Sequence, residues 1–350
     1  MATVLDVAKR AGVSPSTVSR VLSEKAIVAP ETRKKVLRVV SELGYEPNRF
    51  AQGLRSGKNS TVAFAVGDIE QYVYLQLSQH IQNELEANAL DLLLFNLGHR
   101  GDRFEALLRR ARALRLSGVV IATPDPIDIE AIKRFRNDLD FATCPIVVIG
   151  QDVTGHGIPS VWHDDEDAAY SATKSLLERG CRKIAYVGRI QGSAIGSWRF
   201  HGYRRAVEDW GIDVDDGSVF DCAYRYPAGY ASGQKIAARH ADFDGVMCGS
   251  DEMALGVMAA CSDAGVNVPD DISVIGFGDI EWASFVRPQL TTVSTDYKGL
   301  ALCAAEIVVG AGDGQTVALE HEIPRELKVR GSTISLGGQK MKTRNWKMEC

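Results

Sequence analysis

From residue 61 onward, the sequence alternates between short apolar runs and longer amphipathic stretches. The apolar runs are nearly continuous, as in Gly118-Val119-Val120-Ile121-Ala122, which is typical of buried parallel strands. We place strands at residues 62–66, 91–95, 118–122, 146–149, 160–163, 184–187, 245–248 and 272–277. Helical stretches lie between them, for example at 75–86, 104–114, 167–178, 203–210 and 253–264. This alternation predicts an α/β body whose parallel sheets are covered on both faces. Ligands of such sheets bind at the carboxyl ends of strands, so the loops after strands are the place to seek a site.

The first sixty residues instead place their apolar side chains at helical spacing, which predicts three helices. Capping residues, prolines and glycines mark the helix ends, namely Thr3, Asp6, Gly12, Ser14, Pro15, Pro30, Leu43 and Gly44. The predicted inner faces carry Val4, Val7, Ala8 and Ala11, then Val18, Val21 and Leu22, then Val36, Leu37, Val40 and Leu43. The segment is therefore predicted to be a small all-α domain.

The second of these helices has a polar outer face. Two short helices separated by a tight turn, the second carrying hydroxyl groups and an arginine, are typical of a helix-turn-helix. The outward side chains are Ser16, Thr17, Ser19 and Arg20, which suit base edges and phosphates in a major groove. The alternative is a three-helix bundle whose basic residues serve only solubility.

Charge is distributed unevenly along the chain. Residues 1–60 hold eleven Lys and Arg against five acids, a net charge of +6, whereas the remaining residues carry −11 of the total −5. A basic domain on an acidic body indicates a module that binds a polyanion, joined to one that does something else. Together with the turn at Gly12, this local charge favours the helix-turn-helix over the plain bundle.

Other classes of protein are disfavoured. The seven cysteines are scattered without a C-x-x-C pair, which fits a reducing cytoplasm. No run approaches the roughly 18 to 20 apolar residues of a membrane span, and no secretory signal is recognised. The acids that follow His163 suit a helix start better than a metal site. Neither a nucleophile elbow nor a dinucleotide fingerprint is found, so we expect no enzyme, cofactor or metal.

Several motifs together resemble the lactose-repressor (LacI/GalR) family. In the first fifty residues they are Leu5-Asp6-Val7-Ala8-Lys9-Arg10-Ala11-Gly12-Val13-Ser14, Thr17-Val18-Ser19-Arg20-Val21-Leu22 and Leu43-Gly44-Tyr45-Glu46-Pro47-Asn48. Further matches lie at residues 177–180, 183–188, 251–256, 268–277 and 288–293. The resemblance covers nearly the whole chain to about Ser335.

The resemblance implies a helix-turn-helix head-piece at residues 1–46, a hinge helix and linker at 47–60, and a body at 61–336. The implied body is similar to a periplasmic sugar-binding protein, with two α/β subdomains joined by three crossovers near residues 160, 290 and 320. One subdomain would span about 61–159 and 290–319, the other about 160–289 and 320–336. The basic tail at 337–350 lacks periodicity and is predicted to be disordered.

The resemblance also implies which head residues contact DNA, namely Ser14, Ser16, Thr17, Ser19, Arg20, Arg33, Asn48, Leu54 and Arg55. Arg33, Asn48 and Arg55 are assigned to phosphates, and Leu54 to a hinge helix that inserts it into the minor groove. Gly53 replaces a bulkier residue of the family, and Ala29 replaces a Ser cap. If the linker were merely flexible, Leu54 would be an exposed apolar residue without a role.

The implied effector-binding residues are Gln71, Tyr72, Tyr74, Asp164, Arg199, Ser250, Asp251 and Asp279. Arg199 matches the family arginine that reaches a ligand hydroxyl or carboxylate. Asp164 and Asp251 either bind the effector or cap helices. Three residues depart from the family pattern and from a standard hexose or purine pocket: Gly150, Ser250 and Gly278.

Taken together, we expect a cytoplasmic homodimeric repressor that binds a pseudo-palindromic, double-stranded DNA operator and contacts no membrane. A small-molecule effector, a sugar or sugar derivative by the resemblance, controls the affinity for DNA, with release of the operator as the default. Purines remain open as effectors. A solute-binding protein and a sugar-active enzyme with a DNA-binding head are the rival interpretations.

Overall fold

The computed structural model describes residues 2–22, 28–45, 60–137 and 144–335. The chain divides into two compact units, a head at Met1–Ser60 and a body at Thr61–Cys350. The predictions for the linker, for Asn48, Leu54 and Arg55, and for the tail lie outside the described residues. No helix among those residues is long and apolar enough to span a bilayer.

The head consists of α1 (Val4–Ala11), α2 (Pro15–Leu22) and α3 (Pro30–Leu43). Thr3 and Asp6 form the predicted capping box of α1, and Gly12 ends the helix with a left-handed φ of 61°. Gly44 ends α3 in the same conformation, at φ 57°. Ala29 precedes α3 without a side-chain cap, as its replacement of serine predicts.

The three helices of the head share one small apolar core. Its buried members are Val7, Ala8, Ala11, Val18, Val21, Val36 and Val39. The prediction for Leu37 was wrong, because Leu37 is 44% exposed and Val39 is buried in its place. Val36, Val39, Val40 and Leu43 follow the i, i+3, i+4, i+7 spacing of one helix face, and Leu37 lies beside that face.

The body is built from two six-stranded sheets, with the strand orders β11-β5-β4-β3-β1-β2 and β12-β10-β9-β8-β6-β7. Its strands are β1 (Thr61–Val66), β2 (Asp91–Asn96), β3 (Gly118–Ala122), β4 (Ile146–Ile149), β5 (Ser160–Trp162), β6 (Ile184–Gly188), β7 (Val219–Asp221), β8 (Gly245–Cys248), β9 (Ser273–Gly278), β10 (Thr291–Ser294), β11 (Glu320–Glu322) and β12 (Leu327–Lys328). All paired strands are parallel except β10 with β12. The predicted α/β class is confirmed.

Helices cover both faces of each sheet. They are α4 (Tyr72–Ala87), α5 (Gly101–Leu114), α6 (Ile129–Arg136), α7 (Asp165–Glu178), α8 (Ala194–Asp209), α9 (Tyr226–Ala238), α10 (Asp251–Asp263), α11 (Trp282–Phe285) and α12 (Tyr297–Gly312), with one-turn 3-10 segments at Thr154–His156, Asp216–Ser218 and His240–Asp242. Two apolar clusters enclose each sheet, one on either face. We call the unit around β1–β5 and β11 the first subdomain, and the unit around β6–β10 and β12 the second.

The chain passes between the subdomains three times, after β5, after β10 and after β11. Each passage comes a few residues later than the boundaries predicted near 160, 290 and 320. The reason is strand pairing: Val161 of β5 still pairs with Ile149 of β4, and Thr291 of β10 pairs with Ile275 of β9. Glu320 likewise pairs with Ser160, which keeps β11 in the first sheet.

Helices α9 and α10 pack unusually closely, through glycines. A Cβ atom at Gly229 of α9 would collide with the backbone of Met253, and one at Gly256 of α10 would collide with the backbone of Tyr226. Two backbones in such contact leave no room for a methyl group. Because α10 carries Ser250 and Asp251 at its start, this contact positions the functional site described below.

Gly229→Ala is expected to lower the free energy of unfolding by about 1–3 kcal/mol through overpacking, although alanine favours helices more than glycine does. Urea unfolding followed by circular dichroism measures the change. Gly101→Ala is the matched control, because no atom lies within 4 Å of a Cβ placed at that helix start. Equal stability of the two variants would contradict the close packing of α9 on α10.

Candidate functional site

A cavity of about 810 Å³, including its open mouth, lies between the two subdomains of the body. Its walls come from the carboxyl ends of strands in both sheets, where a ligand of parallel sheets is expected. Six predicted effector residues line it, namely Gln71, Tyr72, Tyr74, Arg199, Ser250 and Asp251.

Asp164 and Asp279, two predicted effector residues, do not line this cavity. The carboxylate of Asp164 accepts the N–H of Asp167 at 2.8 Å and so caps α7. Asp279 forms an ion pair with Arg330 at 2.6 Å. Of the two roles predicted for Asp164, effector binding or helix capping, the structure has it as a helix cap.

A buried carboxylate at one end of the cavity belongs to Asp165, the first residue of α7. Its side chain is fully buried and accepts Arg199 Nε–H at 2.7 Å and Arg325 Nη2–H at 3.3 Å. Both guanidinium groups also lie over the ring of Phe277, with Cζ atoms 3.9 Å and 4.7 Å from its centre. The aromatic ring and the carboxylate together fix two cations at one end of the cavity.

These charged groups shift one another's pKa values. Burial opposes ionisation of Asp165, but Arg199 and Arg325 outweigh it and hold the pKa of the carboxyl below its ordinary value. Burial lowers the pKa of the Arg325 guanidinium to about 10. All three groups are therefore charged at neutral pH, and the triad carries one net positive charge.

His163 lies beside this triad and is 2% exposed. Its Nδ1 lies 2.5 Å from the carbonyl oxygen of Ile323. Burial, with the charge of Arg325, lowers the pKa of His163 to about 4, so the ring is neutral. Because a carbonyl only accepts, the single ring proton is on Nδ1, and Nε2 is a hydrogen-bond acceptor.

Four residues that line the cavity have a buried polar atom without a hydrogen-bond partner among the described residues: Tyr224, through its hydroxyl, and at this end His163 (Nε2), Asp165 (Oδ2) and Arg325 (Nε). Leaving such an atom unpaired costs about 1–3 kcal/mol. Three of them on neighbouring side chains indicate a place where bound polar groups complete the network.

Asp251 also lines the cavity, but its oxygens are occupied. One accepts the hydroxyl of Thr292, and the other accepts the N–H of Ile280 at 2.8 Å. Burial raises the pKa of Asp251 to about 6. Ser250 caps α10 by accepting the N–H of Met253 at 3.3 Å. Asp251 thus ties α10 to the end of β9, and its hydrogen bonds are structural.

Gly278 has a φ of 136°, a conformation that side-chain-bearing residues rarely adopt. A Cβ atom there would lie 3.5 Å from Asp251 Oδ2 and from the Tyr297 hydroxyl. An aspartate at this position would therefore meet both backbone strain and a second carboxylate.

Contacts across the mouth hold the two subdomains together. Arg225 of the second subdomain pairs with Asp68 at 3.0 Å and with Glu70, and Arg189 pairs with Asp125 at 2.8 Å. The N–H of Tyr72 donates to Glu252 at 2.9 Å. Because the two partners of each contact belong to different subdomains, these contacts form only while the cleft is closed.

In the head, α2 presents the predicted polar face. Ser14 accepts the N–H of Thr17 at 3.2 Å, and its hydroxyl lies 2.7 Å from that of Ser16. Ser14, Ser16 and Arg20 are exposed, whereas Thr17, Ser19 and Arg33 are partly exposed. Ser14 therefore fixes the start of the helix, and its neighbours are displayed to solvent.

Sequence reasoning missed His163, Asp165 and Arg325 as cavity residues. His163 and Asp165 flank the predicted Asp164, and the helix begins at Asp165, two residues before the predicted start. Arg325 lies in the short link between β11 and β12, neither of which was predicted. Nothing in its local pattern distinguishes it from a solvated arginine.

Comparison with known proteins identifies the family. A model described as bacterial regulatory proteins, lacI family, matches residues 3–48, and one for a periplasmic binding protein-like domain matches residues 173–333. Catabolite control protein A of Priestia megaterium is 31% identical over 335 residues, which cover 95% of this chain and 99% of that protein. The repressor PurR of Pectobacterium carotovorum is 31% identical over 84% of this chain and 85% of its own length.

Solved structures agree with these matches. The Lac repressor bound to ONPG in its repressed state is 25% identical, with a TM-score of 0.83 over 95% of this chain and 99% of that one. The complex of the transcriptional regulator CelR with cellobiose is 28% identical, with a TM-score of 0.68 over 95% of this chain and all of that one. The chain therefore belongs to the LacI family and is a transcriptional regulator with a DNA-binding head and an effector-binding body.

Proposed function

We propose that this regulator binds a pseudo-palindromic operator as a homodimer, and that a neutral polyhydroxylated molecule of sugar type in the body cavity controls its affinity for DNA. The unpartnered atoms of His163, Asp165 and Arg325 carry the proposal for the ligand. The family match and the polar face of α2 support DNA binding.

The three atoms demand a particular hydrogen-bonding pattern. His163 Nε2 and Asp165 Oδ2 accept, whereas Arg325 Nε–H donates. Two neighbouring hydroxyl groups satisfy all three, because each donates one proton and their oxygens accept from the arginine. The CelR complex with cellobiose, a sugar, supports this class.

An anionic ligand fits this end of the cavity less well. A carboxylate only accepts, so it leaves His163 Nε2 and Asp165 Oδ2 without partners. Asp165, Asp251 and Glu252 also line the cavity, three carboxyl groups against the two arginines Arg199 and Arg325. Sugar acids therefore rank below neutral sugars as effectors.

Effector control follows from closure of the cleft. Residues of both subdomains line the cavity, so a ligand that contacts both favours the closed arrangement. In a dimer, a change in closure alters how the two linkers pair, and we infer that the effector releases the operator.

Two exposed apolar faces support the homodimer, one in each subdomain. In the first, Leu94 of the edge strand β2 and Leu114 of α5 line one groove. In the second, Tyr226, Trp282 and Phe285 are 44%, 59% and 62% exposed. Exposed apolar patches of this kind mark protein interfaces.

The relatives are regulators by name, which supports a cytoplasmic protein that is not an enzyme.

A thermal-shift screen of the whole chain tests the ligand class. A neutral sugar or polyol at a hundred times its Kd is expected to stabilise the protein by about 2.7 kcal/mol, whereas sugar acids and nucleobases are not. His163→Asn should abolish the shift, because asparagine can still donate to Ile323 but has no acceptor at Nε2.

His156→Asn is the matched control, since His156 is exposed outside the cavity and the shift should persist. A shift produced only by acids or nucleobases contradicts the hydroxyl-reading site. So does a sugar-induced shift that His163→Asn leaves unchanged.

Selection of operators from a randomised duplex library tests DNA binding. The enriched sequences should form a pseudo-palindrome with two equivalent half-sites. Arg20→Ala should weaken binding by about 1–3 kcal/mol per half-site. Leu54→Ala should also weaken it, because it removes the side chain that we expect to enter the minor groove. Gel-shift titrations measure both effects.

Arg204→Ala, an exposed arginine in the body, is the control and should leave operator affinity unchanged. Enrichment of no symmetric sequence, or full affinity in the Arg20 variant, would overturn the operator model.

A further inference from the structure

Tyr224 is a buried residue of the effector cavity whose hydroxyl group is not used by the fold. It lies in the link between β7 and α9, is 6% exposed and lines the cavity. In the part of the chain that the structure describes, its hydroxyl has no hydrogen-bond partner. Buried hydroxyl groups are normally paired, so this one indicates a contact that a bound molecule completes.

The direction of the Tyr224 hydroxyl is set by two glycines that lie against the ring. A Cβ atom at Gly196, in the first turn of α8, would lie 2.7 Å from the hydroxyl oxygen. One at Gly249, directly after β8, would lie 3.6 Å from Cε1 of the ring. The backbones of α8 and of the loop after β8 therefore hold the phenol in place.

The polar groups around Gly196 already have partners. The hydroxyl of Ser193 lies near that of Tyr224, but it accepts the N–H of Gly196 at 2.9 Å and donates to the carbonyl oxygen of Pro124 at 3.3 Å. The carbonyl oxygen of Gly196 accepts the hydroxyl of Tyr186 at 3.4 Å. The proton of the Tyr224 hydroxyl is therefore available to a ligand.

The cavity wall next to this hydroxyl is apolar. Ile195 precedes Gly196, is partly exposed and lines the cavity. Its Cδ1 atom lies 3.2 Å from a Cβ atom placed at Gly150, which follows β4 on the opposite side of the cleft and brings no side chain. Arg199, four residues further along the same face of α8, belongs to the polar end. The wall thus changes from apolar to polar within one turn of α8.

We propose that Tyr224 donates a hydrogen bond to an ether oxygen of the effector, and that an apolar group on that oxygen lies against Ile195. The effector is then an O-glycoside with an apolar aglycone rather than a free sugar, an inference that rests on the sugar ligand proposed above. A glycosidic oxygen accepts and has no proton of its own to place. A hydroxyl group there needs a further acceptor, which the side chain of Ile195 and Gly150 do not supply.

Isothermal titration calorimetry with the full chain tests the chemical class. The probes are the methyl and propyl O-glycosides of glucose, galactose, mannose and xylose, beside the free sugars. For the sugar that binds, the propyl glycoside should bind about tenfold more tightly than the methyl glycoside, because two more methylene groups leave water. Tyr224→Phe should weaken binding of the methyl glycoside about three- to tenfold, since it removes one hydrogen bond.

Tyr203→Phe is the matched control for the phenol. Tyr203 is also a buried tyrosine, but it lies outside the cavity, and its hydroxyl donates to the carbonyl oxygen of Ile184 at 2.7 Å. This variant should unfold at a lower urea concentration and bind the methyl glycoside as the wild type does. Tyr224→Phe should show the opposite pair of results, weaker binding without a lower unfolding midpoint.

Ile195→Ser tests the apolar group. The preference for the propyl over the methyl glycoside should fall from about tenfold to less than about threefold, because the aglycone loses its apolar contact. Leu75→Ser is the matched control, since Leu75 is 60% exposed and does not line the cavity. It should keep the full preference.

Equal binding of the methyl and propyl glycosides by the wild type would overturn this inference alone, and so would unchanged glycoside affinity in Tyr224→Phe. In either case the sugar-controlled regulator stands, because the sugar still binds. Absence of binding by every sugar and glycoside would overturn the proposed ligand class together with this inference.

Discussion

Replacing Asp165 by asparagine is expected to lower the free energy of unfolding by about 3–5 kcal/mol, because it leaves two buried arginines without their shared carboxylate. The Asp165 side chain is completely buried, so water cannot replace the lost charge. Ligand binding should be lost as well, since the amide alters Asp165 Oδ2, one of the two acceptors that the proposed hydroxyl groups contact. Urea unfolding measures the first effect and the thermal shift the second.

The effect should also depend on pH. The pKa of Asp165 is lowered in the folded protein from its ordinary value of 3.8. The carboxylate therefore stabilises the fold fully above that value, and the contribution is lost as pH falls through the folded-state pKa. The stability difference between wild type and Asp165→Asn should thus be constant near neutral pH and shrink below pH 3.8.

Asp164→Asn, at the neighbouring position, is the control variant. Asn and Asp cap helices about equally well, so this change should leave both stability and ligand binding almost unaffected. If the two asparagine variants behave alike, Asp165 is not the centre of the cavity's polar network.

A charge on the apolar face of the second subdomain should separate the proposed dimer. Trp282→Glu places a carboxylate on a face that also includes Tyr226 and Phe285, and we expect monomers in sedimentation velocity. A monomer binds only one half-site and loses the gain in affinity from two linked heads, so operator affinity should fall about 100- to 10,000-fold.

Trp210→Glu is the matched variant, because Trp210 is also exposed, at 40%, but lies on the end of α8 beside Arg182. It should remain dimeric and bind the operator normally. A dimeric Trp282→Glu protein would move the interface elsewhere, and a monomeric one with full operator affinity would contradict the two-headed model.

The sequence predicted the fold well where periodicity was strong. Strands 118–122, 146–149 and 245–248 lie where predicted, as does the helix Pro30–Leu43. Several of the elements that were not predicted lack such patterns. Helix α9 contains Gly229 and Gly233, which weaken its helical pattern. Helix α12 carries apolar and small residues on most of its surface, since it packs against β3, β4, β5 and α4. The strands β11 and β12 are too short to show alternation.

The site was harder to predict, because its chemistry depends on contacts between distant parts of the chain. Arg325 meets Asp165 across 160 positions of sequence. The neutral, acceptor form of His163 follows from burial and one backbone carbonyl, neither of which a motif encodes. Asp164 and Asp165 differ by one position, and only the start of the helix decides which carboxylate enters the cavity.

The order in which the strands join the first sheet has a consequence for synthesis on the ribosome. Helix α12 supplies Leu300, Ala304 and Ile307 to the core under β1, and β11 closes the edge of the same sheet. The first subdomain therefore stays incomplete until residue 322 has emerged, long after the head is ready to fold. A nascent chain exposes the uncovered face of this sheet throughout that interval, so premature termination beyond β9 should yield a folded head attached to an aggregation-prone body.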